Sequence, residues 1–228
     1  MNEAPKEKLL RAILPHVPFD GWSEASFQAA ITDAGVSPGI ARATCPRGAV
    51  SLAIAYHEAG DAAMLQALAE ADLQDMRFRD RVALAVRLRL EAVEEKELVR
   101  RGATLFALPQ YAADGAQLVW GTADKIWQAL GDSSDDINWY TKRATLSGVY
   151  SATVLYWLGD ESEGHEATWA FLDRRIEGVM RIEGIKAQVR NNSMLSRVLA
   201  GPMAILGRVR APQRTTQTGM PGRWSGPN

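Results

Sequence analysis

The side chains of this sequence with chemistry beyond packing are three histidines, one cysteine and a run of glutamates. His16, His57 and His165 are far apart. No two of them pair at helical spacing, and no Glu-x-x-His occurs, so the pattern of a helical metal centre is missing. His57-Glu58 reads as ordinary helix surface. Cys45 stands before Pro46 with no identifiable base and reads as a small buried side chain. As the single cysteine it forms no internal disulfide and no multi-thiolate metal site. There is no Gly-x-Ser-x-Gly elbow, phosphate-cradling glycine loop or dinucleotide fingerprint. Glu91, Glu94, Glu95 and Glu97 crowd one segment among Arg87, Arg89, Lys96, Arg100 and Arg101. Carboxylates and cations so interleaved read as a solvated, mutually paired face. The expectation is a binding protein, not an enzyme, with no catalytic residues, no metal and no cofactor.

Apolar residues make up 46 % of the 228, enough to bury a substantial core. No apolar run reaches the ~18 residues that cross a bilayer. The opening stretch has neither a signal peptide's apolar run nor the arginines of a transit peptide. The expected location is cytosolic in a bacterium, or that of a processed organelle protein. The net charge of −1 is unevenly spread. Lys186, Arg190, Arg197, Arg208, Arg210, Arg214 and Arg223 follow the last acid, leaving 19 basic against 27 acidic residues before them. An acidic body with a basic C-terminus points to an anionic partner there.

The elements that must position these residues are helices, because no segment alternates long enough for a strand. The expected helices are Lys6–Leu14, a helix capped by Ser23 and closed by Gly35, one opened by Ser37-Pro38, and Ala49–Ala59. Longer ones follow: Arg79–Arg101 with Val82, Val86, Leu90 and Val93 on one stripe, widened by Leu84 and Leu88; about Asp114–Leu130; about Asp136–Leu158; about His165–Val189, burying Trp169, Leu172, Ile176 and Val179; and Met194–Val209. Trp120 and Trp127, seven apart, read as core. The division expected is a small helical module over 1–60, a larger helical body over 61–190, an amphipathic helix over 191–210, and a disordered tail over 211–228.

Ala34-Gly35-Val36-Ser37-Pro38-Gly39 and the long helices after it resemble the TetR-type repressors. Arg42 and Cys45 depart from that family's usual Tyr and Phe. Residues 1–60 carry five basic and six acidic side chains, a poor balance for holding phosphates. A second resemblance spans most of the chain. His16-Val17-Pro18-Phe19-Asp20-Gly21-Trp22, the run Asp136-Ile137-Asn138-Trp139-Tyr140-Thr141-Lys142-Arg143-Ala144, Tyr150-Ser151-Ala152-Thr153, and Thr168-Trp169-Ala170-Phe171-Leu172-Asp173-Arg174-Arg175-Ile176 are similar to the coenzyme Q (ubiquinone) biosynthesis lipid-binding accessory family. The resemblance implies an all-α, TetR-like fold, a homodimer, an apolar lipid pocket and a C-terminal helix at the membrane. It also implies a non-catalytic partnership with the hydroxylase that acts on demethoxyubiquinone. The implied ligand is a phospholipid or an isoprenoid quinone. The two resemblances make 1–60 a helix-turn-helix-like module, 61–190 a lipid-binding and dimerising body, and 191–210 a membrane helix. The implied location is peripheral on the cytoplasmic face of a bacterial inner membrane, or the mitochondrial matrix side in a eukaryote.

The adjacent Trp139 and Tyr140 could dock a partner or anchor their helix to its neighbour. The resemblance favours a partner-binding patch of Asp136, Trp139, Tyr140 and Arg143. Leu84, Leu88, Tyr150, Val154, Trp157 and Trp169 could line a lipid cavity or fill a core, and the cavity is carried from the resemblance alone. Leu195, Val198, Leu199, Ile205 and Leu206 form an apolar stripe opposite Arg197 and Arg208. With no acid nearby, that stripe favours an anionic membrane surface over a helix docked on the body. The function expected is presentation of a quinone intermediate at the membrane to the hydroxylase, with no nucleic acid bound. The alternative is a TetR-type, ligand-responsive transcription regulator.

Overall fold

The computed structural model describes residues 4–191 and residue 211. The expected membrane-contacting residues Leu195, Arg197, Val198, Leu199, Ile205, Leu206 and Arg208 lie outside the described residues, as does nearly all of the expected tail. Among the described residues the helices are α1 (Pro5–Ile13), α2 (Val17–Asp20), α3 (Glu24–Ala34), α4 (Pro38–Thr44), α5 (Ala49–Glu70), α6 (Phe78–Glu91), α7 (Lys96–Phe106), α8 (Ala112–Ala129), α9 (Ile137–Leu158) and α10 (Glu166–Asn191). No strand occurs among them, so the chain is all-α.

Local signals set the N-terminal helices. Ser23 caps α3, its hydroxyl accepting from the Ser26 amide at 3.3 Å. Gly35 closes α3 in the left-handed conformation, φ 60°, which a side chain there would strain. Ser37 caps α4 and Pro38 opens it. Leu9, Ile13, Val17, Phe27, Ala30 and Ala41 close into a buried cluster with Cys45. Cys45 is fully buried, as its sequence context implied, and burial pushes its thiol pKa up.

The expected boundary near residue 60 falls inside α5, which runs unbroken to Glu70. Ala49, Leu52 and Ala53 at its start pack in the N-terminal cluster, while Met64 and Leu68 near its end pack in the body core. One helix serves two cores, so Gly60 does not end it. Trp22 ties the halves again, its indole N–H donating to the Leu98 carbonyl at 3.1 Å.

The continuous helix expected over Arg79–Arg101 is instead α6 and α7, broken at Ala92–Glu95. Val82, Val86 and Leu90 of α6 are buried in the body, as the stripe predicts, but Leu98 of α7 belongs to the N-terminal cluster. The break coincides with this change of core between Leu90 and Leu98. The break places Glu97 in the first turn of α7, at the positive end of the helix dipole. In return α7 caps α9. Lys96 donates to the Trp157 and Asp160 carbonyls at 2.8 and 2.7 Å, and Arg100 to the Leu158 carbonyl at 2.9 Å. Cations thereby satisfy the orphan carbonyls at a helix C-terminus. Asp160 then turns the chain into α10, accepting from the Thr168 amide and hydroxyl and from the Ser162 amide. These bonds, the Thr168 hydroxyl's first, hold its carboxyl pKa well below the usual range.

Candidate functional site

The first candidate site is the head of α9. Asp136 caps the helix, accepting from the Asn138 amide at 2.8 Å, and is exposed. Trp139 and Tyr140 follow, both half-buried, with ring centroids 4.8 Å apart edge to face. Trp120 of α8 lies 5.9 Å from Trp139, so it joins this surface aromatic group and is not the core residue expected. Trp127 does pack against the core, stacks on Phe78, and donates to the Lys142 carbonyl at 3.1 Å.

Arg143 is not part of the surface. It is fully buried one helical turn beneath Trp139, its guanidinium 4.1 Å from that ring's centre. It bonds Asp124 through Nε at 2.5 Å and Asp132 through Nη1 at 3.0 Å. Lys142 completes the group, reaching Asp132 at 2.7 Å. Burial pushes the Asp132 carboxyl pKa up, but hydrogen bonds from Lys142, Ser134 and Arg143 together hold it far below the usual range. Of the four residues expected to dock a partner, Asp136, Trp139 and Tyr140 share a surface, and Arg143 holds that surface from below. On a helix that starts with paired aromatics, i and i+4 stack on one face, and a cation there is as easily a support as a contact.

Two openings beside the body core bear on the expected sites. An open groove of about 460 Å³ between α6, α9 and α10 is lined by Val82, Trp127, Leu146, Val149, Ile176 and Val179. Asn138, Thr141 and Lys142 also line it, and they flank the Trp139–Tyr140 pair in sequence. A second cavity of about 230 Å³ lies where α5 to α9 converge, walled by Trp22, Leu90, Val99, Phe106, Leu118 and Val154. Of the six expected lipid-lining residues, Tyr150 and Val154 line this cavity. The other four line neither opening. Leu84 and Leu88 pack against the core from its edge. Trp157 is buried in that core, with the Lys96 ammonium 4.9 Å above its ring. Trp169 donates to the Gly164 carbonyl at 2.7 Å under the Arg87 guanidinium. Size and helical spacing marked all six as large and inward, but which inward side chains meet empty space depends on how neighbouring helices splay.

A buried polar cluster at this cavity was not legible as such. Asp61 and Arg89 are almost wholly buried and bond at 2.7 Å. Lys125 reaches the other Asp61 oxygen at 2.8 Å. Thr122, fully buried, donates to Asp61 at 2.9 Å, and His57 Nε2 lies 2.8 Å from the Thr122 hydroxyl. Both contacts are satisfied when a neutral His57 donates to Thr122 and Thr122 donates to Asp61. His57 is thus no ordinary surface residue. Burial, then the Arg89 charge, lowers its pKa to about 4. Arg89 likewise leaves the solvated face expected for it, whereas Arg87–Glu91 and Arg100–Glu97 do pair in solvent. The i, i+4 spacing of His57 and Asp61 was the available signal.

Two cations of the N-terminal module are already paired with acids, one of its own and one of the body. Arg42 pairs with Glu24 over the Phe27 ring, and Arg47 makes two bonds to Asp114, at 2.8 and 2.6 Å. Charges so engaged are not free to neutralise phosphates.

Comparison with known proteins agrees with both resemblances. A solved TetR transcriptional regulator from Nitrosomonas europaea superposes with a TM-score of 0.62, covering 75 % of this chain and 95 % of that one at 18 % identity. That likeness is one of fold, and the chain has a TetR-like fold. The COQ9 family profile matches residues 112–183, which include the head of α9 and Tyr150. The mitochondrial ubiquinone biosynthesis protein COQ9 of Rattus norvegicus is 29 % identical over 200 residues, 83 % of this chain and 63 % of that protein. Its counterpart in Drosophila melanogaster is 30 % identical over 193 residues, 82 % of this chain and 58 % of that protein. The chain therefore spans about three-fifths of the length of these curated relatives. Among the described residues no helix is long and apolar enough to cross a membrane. Over residues 112–183 by the profile, and over most of its length by these relatives, the chain is similar to the COQ9 family.

Proposed function

We propose that this chain acts in ubiquinone biosynthesis as a non-catalytic, homodimeric accessory protein that binds an isoprenoid quinone intermediate or another lipid. It presents that lipid at a membrane to the demethoxyubiquinone hydroxylase. The observation that carries the reading is the half-exposed Trp139–Tyr140 pair set beside an apolar groove. An aromatic pair on a rigid helix offers a partner large contact area at little entropic cost, and the groove offers a lipid chain a path to the same place. The membrane surface is assigned to Met194–Val209 on its sequence alone. The paired Arg42 and Arg47 weigh against the transcription-regulator alternative.

Two experiments test this. Solvent extraction of protein purified without detergent yields lipid in near-stoichiometric amount by mass spectrometry, and a lipid-free protein with full hydroxylase binding overturns the carrier role. Trp139→Lys lowers affinity for the hydroxylase about 30-fold, the loss of ~2 kcal/mol expected of a docking aromatic. Its melting temperature stays within a few degrees of the parent protein. If the variant unfolds, or binds as before, the patch is structural.

A further inference from the structure

The 230 Å³ cavity is apolar on its walls but not on its floor, where Tyr150, Arg89 and His57 meet. Tyr150 is only 4 % exposed, and its hydroxyl makes no hydrogen bond among the described residues. The hydroxyl opens on the cavity, which offers it no protein partner among the described residues, and buried Tyr hydroxyls are normally paired. Arg89 is fixed beside it. Nε binds Asp61, Nη2 binds the His57 carbonyl at 3.0 Å, and Nη1 lies against Gly60, where a Cβ would stand 2.5 Å away. Only a glycine on α5 lets the guanidinium lie this close. The cluster sets two cations, Arg89 and Lys125, against the one carboxylate of Asp61, with His57 held neutral by burial and by Arg89. Its net positive charge favours an electron-rich oxygen and disfavours a cationic group.

Size decides which part of a ligand enters. Sites for drug-sized molecules occupy roughly 300–1,000 Å³, so 230 Å³ holds a ring or a short chain but not a whole lipid. The cavity has a way out for the remainder, because Leu155 lines it and is 67 % exposed. Trp22, Tyr56 and Phe106 give the walls flat faces on which a ring can pack.

We infer that this cavity takes the polar head of an amphipathic ligand, a ring bearing a phenol or quinone oxygen, which accepts a hydrogen bond from the Tyr150 hydroxyl beside Arg89 while its apolar tail leaves past Leu155. The inference rests on the lipid-binding reading and adds to it an orientation, head inward, and a selectivity for oxygen-substituted rings over plain hydrocarbon.

The test compares 4-hexylphenol with hexylbenzene, which differ by one oxygen, on the full chain by titration calorimetry. The intact protein binds 4-hexylphenol about tenfold more tightly than hexylbenzene, the worth of one or two net hydrogen bonds. Tyr150→Phe removes that preference while leaving hexylbenzene binding unchanged. Because the hydroxyl has no partner among the described residues, Tyr150→Phe leaves the melting temperature of the ligand-free protein unchanged or higher. Equal binding of the two probes, or an undiminished preference in the variant, overturns the head-inward assignment and leaves lipid binding standing. A variant that melts well below the parent shows that the hydroxyl has a structural partner and also overturns it. If neither probe binds, the inference and the lipid-binding reading fall together.

Discussion

Arg143→Met destabilises the protein by about 3 kcal/mol, although no partner or ligand contact is removed with it. Arg143 is wholly enclosed and holds two carboxylates, of which Asp132 is itself 2 % exposed. Breaking a buried ion pair from one side costs roughly 3–5 kcal/mol, because the remaining charge stays out of water without compensation. Here the loss sits at the low end. Asp132 keeps Lys142 at 2.7 Å and the Ser134 hydroxyl at 2.8 Å, and Met refills most of the volume. For a chain of this length that loss lowers the melting temperature by roughly 6–12 °C. The cause is testable by a second change. Asp132→Asn added to Arg143→Met costs less than the two single changes summed, because the pair they share is already broken, whereas Asp132→Asn alone is destabilising. Melting curves of the three variants decide it, and an Arg143→Met protein that melts like the parent would show the guanidinium to be idle. The comparison with Trp139→Lys is informative because the two side chains stack, yet one is expected to lower stability and the other to lower only docking.

That contrast also marks how far the sequence could be read. Helix starts and stops were legible where a single residue type enforces them. Ser23, Gly35, Ser37-Pro38 and Asp136 lie at the ends of α3, α4 and α9 as expected, because cap chemistry is local. The N-terminal half of the long Arg79–Arg101 pattern was also right. Its break was not, because an apolar stripe records that a residue is buried and not against which core: Leu90 and Leu98 continue one period yet pack in different clusters. The same limit governs the sites. Arg89 and Arg143 each sit among charged neighbours in sequence and read as surface, but each meets an aspartate from a distant helix or loop, Asp61 for one and Asp132 for the other. Burying an arginine is a tertiary event, decided by whether a carboxylate arrives from elsewhere, and no local pattern encodes that arrival. The Trp139–Tyr140 pair was left open by spacing, which allowed either a docking patch or an anchor to the neighbouring helix, and its place at the surface was carried from the resemblance; both side chains are half-buried.

Between pH 6.5 and 4 the protein loses stability with a slope set by His57, and His57→Gln flattens it. The ring is held neutral by burial, with Arg89 and Lys125 opposing a proton and Asp61, 3.7 Å away, favouring one; the balance places its folded pKa at about 4. In the unfolded chain a histidine titrates near 6.5. Above that value both states carry a neutral ring and no pH dependence arises. As pH falls below it, the unfolded chain takes up a proton that the folded chain refuses, so stability declines until the folded ring also protonates near pH 4. The accumulated loss is about 3 kcal/mol. Asp61, Asp132 and Asp160 add to the loss only at the acid end of this window, from about pH 5 downward, because their folded pKa values lie below the ordinary carboxylate range while the unfolded carboxyls begin to take up protons there. That part is common to the parent and to a variant at His57, so the difference between the two curves isolates the histidine. The glutamine of the His57→Gln variant keeps an amide that can donate to the Thr122 hydroxyl and has no proton to gain. Urea unfolding at intervals of half a pH unit, on the parent and on His57→Gln, measures the slope directly. From pH 6.5 to 4 the parent loses about 3 kcal/mol more than the variant. Parallel curves would mean that His57 is open to protons in the folded state, and that the floor of the cavity is wetter than its bonding to Thr122 and Asp61 implies.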